Sequence, residues 1–405
     1  MKQEYILIFG KHPELSLAEV VSVCGSESIQ RVSRECAVVE LPHGMNAALL
    51  QKRLGGVIKI GEVVAAAPHD SILNTMEELL RKDKKTIFGI SVYSLDESVR
   101  LRPLLEKTQR MGIDLKKKFR EEGNRSRFAV SKEQTLSSVA VVKNKLLSEG
   151  IEILVLADKE RVTLGTTMTV QDFEEYNRRD YGRPKPSPRS GMLPPKVAQM
   201  MINLSQVKPD QTLLDPFCGS GTVLQEAAFL GVQHLIGTDR NPETVDDAKQ
   251  NLDWFQKTFN VHPSSSRVSV CDVRNLLEKI PPQSVDAIVT EPYLGPPLTG
   301  RETAGELQKN TKDLEGLYAD AFREFARIMK PGGVVTIIFP RFQKGAQRFE
   351  IQIFPQIQKH SFRVDALFAG LESLALPFRP NPRGSVVYQR EDQYVAREIF
   401  RFKKI

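Results

Sequence analysis

Disulfide pairs, metal-type cysteine clusters, membrane-length apolar runs and internal repeats are all missing from this chain of 405 residues. Its four cysteines, Cys24, Cys36, Cys218 and Cys271, are scattered without Cys-x-x-Cys spacing. That argues against a disulfide framework and a zinc site, so no metal is expected, and it fits a reducing cytoplasm. No segment approaches the length of a membrane span. The first apolar run, residues 5–9, is too short for a signal peptide and is followed by Lys11 and His12. What remains is a globular composition, 40% hydrophobic and 26% charged, long enough for two or three domains. The net charge of +7 suits a polyanionic partner without requiring one.

The alternation of apolar and polar residues divides the chain. Residues 1–85 read as a small α+β domain: strand YILIFG, helix ELSLAEVVSVCG, strand ECAVVEL, then a helix near 44–54. Residues 86–170 repeat the style. Strand TIFGISVYS precedes a long basic helix from Leu101 to Glu122, then RFAVS, a helix over 134–149 and a hairpin turning near Asp158. Residues 171–190, in which prolines alternate with charges, predict an extended linker. From residue 191 to 405 the strands TLLD, HLIGTD, RVSVCD, DAIVTE and VVTIIFP alternate with helices. Such spacing predicts a parallel sheet covered on both faces, closed at an edge by RVDALFAG and GSVVYQRE running antiparallel.

The richest stretch is Leu213-Leu214-Asp215-Pro216-Phe217-Cys218-Gly219-Ser220-Gly221-Thr222. A strand ends in an acid, and a glycine turn then opens a helix. It is not the dinucleotide fingerprint, because Leu224 stands where the third glycine belongs. Nor is it a phosphate loop, because no Gly-Lys-Ser/Thr follows. The next two strands also end in acids, Asp239 and Asp272. Each aspartate alone is as well explained by capping a helix. Together, in register above one sheet, they suit S-adenosylmethionine: Asp215 near its ammonium, Asp239 on the ribose hydroxyls, Asp272 on the adenine amine.

Asp-Pro-Phe-Cys-Gly-Ser-Gly-Thr resembles motif I of the class I methyltransferases that modify exocyclic amines of nucleic-acid bases. Residues 189–204, R-S-G-M-L-P-P-K-V-A-Q-M-M-I-N-L, together with the opening Y-I-L-I-F-G-K-H-P-E-L-S-L-A-E-V and the closing S-V-V-Y-Q-R-E-D-Q-Y-V-A-R-E-I, resemble the THUMP-domain tRNA guanine-N2 methyltransferases of the guanosine-10 type. The resemblance implies a Rossmann-like methyltransferase domain with a seven-stranded, mostly parallel sheet, preceded by an α+β, THUMP-containing RNA-binding region. It implies S-adenosylmethionine as cofactor and tRNA as substrate. The candidate cofactor residues are Asp215, Phe217, Gly219, Gly221, Thr222, Asp239, Arg240, Asp272 and Val273.

In that family an Asp-Pro-Pro-Tyr-type loop after the fourth strand holds the target amine. Here the strand runs into Glu291-Pro292-Tyr293-Leu294, so glutamate replaces aspartate, and the ring stands one residue early. A guanine amine is a weak nucleophile, and two acceptor oxygens that localise its lone pair are what it needs. Glu291 and the Pro292 carbonyl are the candidates, with Tyr293 stacking on the base. An alternative is that the loop is an ordinary proline-rich turn in a non-catalytic tRNA-binding paralogue. Another is that the amine belongs to a different RNA or DNA base. Basic residues crowd 100–145, and Lys116, Lys117 and Arg125 there, with Arg183 in the linker, are the candidate RNA contacts.

Overall fold

The structure is a computed structural model that describes residues 1–69, 71–81, 85–131, 133–186, 192–390 and 393–405. The chain forms two compact units. One comprises Met1–Leu17, Cys24–Phe173 and Gly370–Arg379, the other Ala18–Val23, Glu174–Ala369 and Pro380–Ile405. Among the described residues no helix is long and apolar enough to cross a membrane.

The first unit is built on one eight-stranded sheet. Its strands are β1 (Lys2–Phe9), β2 (Ile29–Val32), β3 (Cys36–Pro42), β4 (Val57–Pro68), β5 (Lys85–Ser94), β6 (Arg125–Ala129), β7 (Gly150–Ala157) and β8 (Arg161–Val170). They lie in the order β2-β3-β1-β4-β8-β7-β5-β6. The division expected at residue 85 falls at the start of β5, and strands from both sides of it share this sheet. The helix expected over 134–149 is confined to Ser138–Lys143. Helix Leu101–Glu121 buries Leu104, Met111, Leu115 and Phe119 along one stripe. Burial of such side chains stabilises by roughly 1.5–3 kcal/mol each. The opposite face of the helix carries its charges.

The second unit holds β9 (Thr212–Asp215), β10 (His234–Asp239), β11 (Ser265–Val270), β12 (Val285–Thr290), β13 (Met329–Lys344), β14 (Gln347–Glu350), β15 (Phe362–Val364), β16 (Val386–Tyr388) and β17 (Val395–Lys404). The main path is β11-β10-β9-β12-β13-β17-β15, with β14 attached to β13 and β16 to β17. The first five strands of that path run parallel, and β17 runs antiparallel to β13. The sheet is mostly parallel as expected, but it has nine strands and not the seven expected, and its antiparallel strands β14 and β17 are not the segments expected to run that way. RVDALFAG and GSVVYQRE supply only the three-residue strands β15 and β16. The ten-residue β17 pairs with β13 and occupies the interior of the sheet. Its charges hide it from a hydrophobicity reading because they are buried in pairs: Glu398 is fully buried, accepting hydrogen bonds from Arg383, Ser385 and Asn381.

Chain order reverses between β9 and β12, since β10 and β11 lie on one side of β9 and β12 and β13 on the other. Ligand crevices form at such switch points, outside the carboxyl ends of the strands. A core of interlocked aromatics fixes the sheet beneath it. Tyr318 stacks on Phe339 with ring centroids 5.2 Å apart, and Phe400 stacks on Phe402 at 5.6 Å.

The expected linker is not extended. Residues Phe173–Tyr181 form a helix that belongs to the second unit from Glu174 onward, and the prolines begin only after it ends. Arg189 and the boundary at 190–191 lie outside the described residues.

Candidate active site

A cleft of about 790 Å³ opens at the switch point, within the size range of sites that hold nucleotide-sized ligands. It is lined by Asp215, Phe217, Gly219, Thr222, Asp239, Arg240, Asp272, Val273, Glu291, Pro292 and Tyr293, so eleven of the expected cofactor and catalytic residues meet there. Gly221 does not face it. With φ +87° it turns the chain into helix Thr222–Phe229, and a Cβ there would lie 3.3 Å from the Ala248 Cβ. Gly219, at φ +49°, has nothing within 4 Å of where a Cβ would project. Its bare backbone gives a ligand the close approach that any other residue would obstruct.

The three acids have distinct environments. Asp215 is buried, its Oδ1 accepting from Thr290 Oγ1 at 2.6 Å and from the Phe217 amide at 3.2 Å. Burial raises its carboxyl to about 7, with smaller pushes from Asp239 and Glu291, while the two hydrogen bonds pull the other way. Asp239 accepts from the Gly219 amide at 3.1 Å and the Asn241 amide at 2.9 Å, tying the glycine turn to the end of β10. Asp272 lies two residues beyond β11. Its Oδ1 accepts from the Arg274 amide at 3.0 Å and its Oδ2 from Arg274 Nη2 at 2.6 Å. That pairing holds it down at about 2. Capping therefore leaves acceptor positions open for a ligand, since a carboxylate has about four.

Glu291 is the first residue after β12. Burial raises its carboxyl above the ordinary value, opposed by the Arg397 guanidinium, whose Nε donates to Oε1 at 2.5 Å. Pro292 is buried. The Tyr293 carbonyl accepts from Tyr318 Oη at 2.7 Å, which anchors the loop, and the Tyr293 ring is 51% exposed. Gln393, Tyr394 and Arg397, from the start of β17 and the residues before it, complete the wall. Sequence reasoning missed them: Arg397 is 106 positions from Glu291 and only the antiparallel course of β17 joins them. Thr290 and Asn251 were also missed. A hydroxyl beside a strand-end acid is a weak signal for the first, and for the second none is visible. Asn251 Nδ2 donates to the Ser220 carbonyl at 2.9 Å and steadies the glycine turn from behind.

Arg183 is a correction. Expected on RNA, it is 3% exposed, its Nη1 donating to Thr222 Oγ1 at 2.8 Å and its Nη2 to the Arg179 carbonyl at 3.1 Å. Arg179, one turn earlier, is buried between the rings of Tyr176 and Phe229, at 4.1 and 4.0 Å, and pairs with Glu226. These cations serve a buried carboxylate, which a guanidinium does with directed donors. Lys116, Lys117 and Arg125 lie in the first unit, on and just after helix Leu101–Glu121, Lys117 and Arg125 exposed and Lys116 half-buried.

The residues here fit S-adenosylmethionine: acids at the ends of β9 and β10 and just past β11 could accept from its cationic and hydroxyl groups, and the side-chain-free Gly219 leaves room for its approach. Fold and site together define a class I S-adenosylmethionine-dependent methyltransferase. A family model described as UPF0020, RMKL-like, methyltransferase domain matches residues 183–366, and a DNA methylase model matches residues 2–250. The tRNA (guanine(10)-N2)-dimethyltransferase of Methanothermobacter thermautotrophicus is 30% identical over 83% of this chain and 88% of its own length. That of Methanocaldococcus jannaschii is 24% identical over 77% and 87%. The crystal structure of TrmN from Thermus thermophilus shares the fold, with a TM-score of 0.53 at 18% identity over 99% of this chain and 100% of that one. The chain belongs to the tRNA (guanine(10)-N2)-dimethyltransferase family.

Proposed function

We propose that this protein methylates the exocyclic N2 of guanosine 10 in tRNA, using S-adenosylmethionine. The observation that carries the proposal is the convergence of Glu291 with Asp215, Asp239 and the bare Gly219 turn in one cleft. When bound, the cofactor supplies an electrophilic methyl group. Asp215, at the end of β9, receives its ammonium, Asp239 its ribose hydroxyls and Asp272 its adenine amine. Glu291 and the Pro292 carbonyl accept the two N–H groups of the guanine amine, drawing its lone pair out of conjugation and aiming it across the cleft. Tyr293 and Tyr394, both more than half exposed, offer rings to the flat faces of the base. As the nitrogen bonds the methyl carbon, the bond from that carbon to the sulfonium sulfur breaks and leaves a neutral thioether, and the nitrogen then loses a proton, for which Glu291 is the acceptor at hand. Lys116, Lys117 and Arg125 bind phosphates of the tRNA, a contact of shape and charge without base readout.

The test is methyl transfer from labelled cofactor to an unmodified tRNA transcript. Glu291→Ala is expected to bind tRNA normally and to lose about 10²–10³-fold in kcat, the usual loss for one oriented hydrogen-bonding group. Binding without transfer by the unaltered protein would instead identify a non-catalytic tRNA-binding protein. The match to a DNA methylase model favours a second reading, an amine of a DNA base. Transfer to duplex DNA in preference to the transcript would establish it.

A further inference from the structure

In the loop that this one resembles, the acceptor is an aspartate, one methylene shorter than Glu291. What a weakly nucleophilic amine needs there is an oriented acceptor oxygen rather than a net charge. Glu291 meets neither condition unaided. It has an additional rotatable bond, and each such freedom must be frozen before the oxygen points at a substrate. It also brings a negative charge into a cleft where the carboxylate of Asp215 is already disfavoured by burial and by Asp239.

Arg397 addresses both. It is the third residue of β17, which begins where the parallel strands end, so its register opposite Pro340 sets it at the cleft rim. Its side chain is 5% exposed and that of Glu291 15%. Arg397 Nε donates to Glu291 Oε1 at 2.5 Å while Nη1 donates to Gln393 Oε1 at 2.5 Å, so the guanidinium is itself held. Glu291 Oε2 has no hydrogen-bond partner among the described residues. One oxygen is fixed and the other is free, in a cleft that both residues line.

We infer that Arg397 is a positioning residue for methyl transfer: it clamps Glu291 by one oxygen, neutralises its charge, and presents the other oxygen to the substrate amine. A clamped glutamate then does the work of the shorter acceptor. The inference rests on the proposed role of Glu291 and extends the site to a strand that the Glu-Pro-Tyr loop does not contain.

A double-mutant cycle tests it, with kcat and KM for a tRNA transcript and calorimetric affinity for S-adenosylmethionine measured for each protein. Arg397→Gln is expected to lower kcat about 100-fold, with KM and cofactor affinity moving less than about threefold, because the clamp matters only when the amine reacts. In the Glu291→Ala background the same change is expected to cost less than about twofold, since the acceptor it clamps is gone. Arg397→Lys, which keeps the charge and loses the planar donor, is the variant to use if the glutamine protein does not fold. It is expected to lose about tenfold alone and almost nothing beside Glu291→Ala. Equal losses in both backgrounds, or undiminished kcat in either Arg397 variant, would overturn the inference. No transfer by the unaltered protein, or full activity of Glu291→Ala, would overturn the function proposal instead, so the two failures are separable.

Discussion

Proton release on cofactor binding follows from the state of Asp215. Buried at the end of β9, its carboxyl sits near 7 against an ordinary 3.8. The ionised form is therefore disfavoured in the ligand-free protein by about 4 kcal/mol relative to water. At pH 6 about 0.9 of the molecules carry a proton on Asp215, and at pH 8 about 0.1. A bound ammonium replaces the missing solvation and returns the group to its ionised form. Binding S-adenosylmethionine should then release about 0.9 proton at pH 6 and about 0.1 at pH 8. Calorimetric titrations in buffers of different ionisation enthalpy measure that number directly. Asp215→Asn should abolish the release and weaken binding. The same substitution should stabilise the ligand-free protein at pH 8, by up to about 4 kcal/mol. That gain should fade as pH falls from 7 toward 4, because the native carboxyl is protonated there and no longer penalised. Release below about 0.2 proton at pH 6, with binding intact, would refute the reasoning.

Asp239→Ala removes the acceptor of the Gly219 amide along with the proposed diol partner, and cofactor affinity should fall about 10–100-fold by calorimetry. Arg179→Ala leaves Glu226 buried without its guanidinium, and chemical denaturation should show a loss of about 3–5 kcal/mol. Burial already raises Glu226 to about 7, so the loss should be smaller in acid, where the stranded carboxyl takes up a proton. Alanine at Lys116, Lys117 or Arg125 should weaken tRNA binding and lower the slope of log affinity against log salt by about 0.7–0.9 per phosphate contact, leaving cofactor affinity unchanged.

The methyltransferase sheet was legible because its signals are local. A strand-period run ending in an acid, a Gly-x-Gly turn and a helix follow within a dozen residues, and the pattern of acidic strand ends recurs in β10 and just past β11. The cleft's other wall was not legible. Arg397 and Glu398 interrupt the apolar pattern of β17, and nothing local marks their partners, Glu291 and Arg383, which lie 106 and 15 positions away. Arg183 was misread for the opposite reason, as a proline-and-charge segment normally faces water. The clue lay elsewhere, in Glu226, an acid inside the wholly buried Thr222–Phe229 helix. It is fully enclosed and requires a buried cation. Tyr176, another residue of the expected linker, is buried too, its hydroxyl donating to Gln199 Oε1 at 2.5 Å.

The central claim is that this cleft delivers methyl groups to one guanine amine, and nucleoside mass spectrometry of mapped fragments from a tRNA transcript incubated with protein and S-adenosylmethionine tests it most directly. The expected result is N2-methylated guanosine at position 10 and nowhere else. An unchanged guanosine at that position, or methyl groups found only on other bases, would contradict the account.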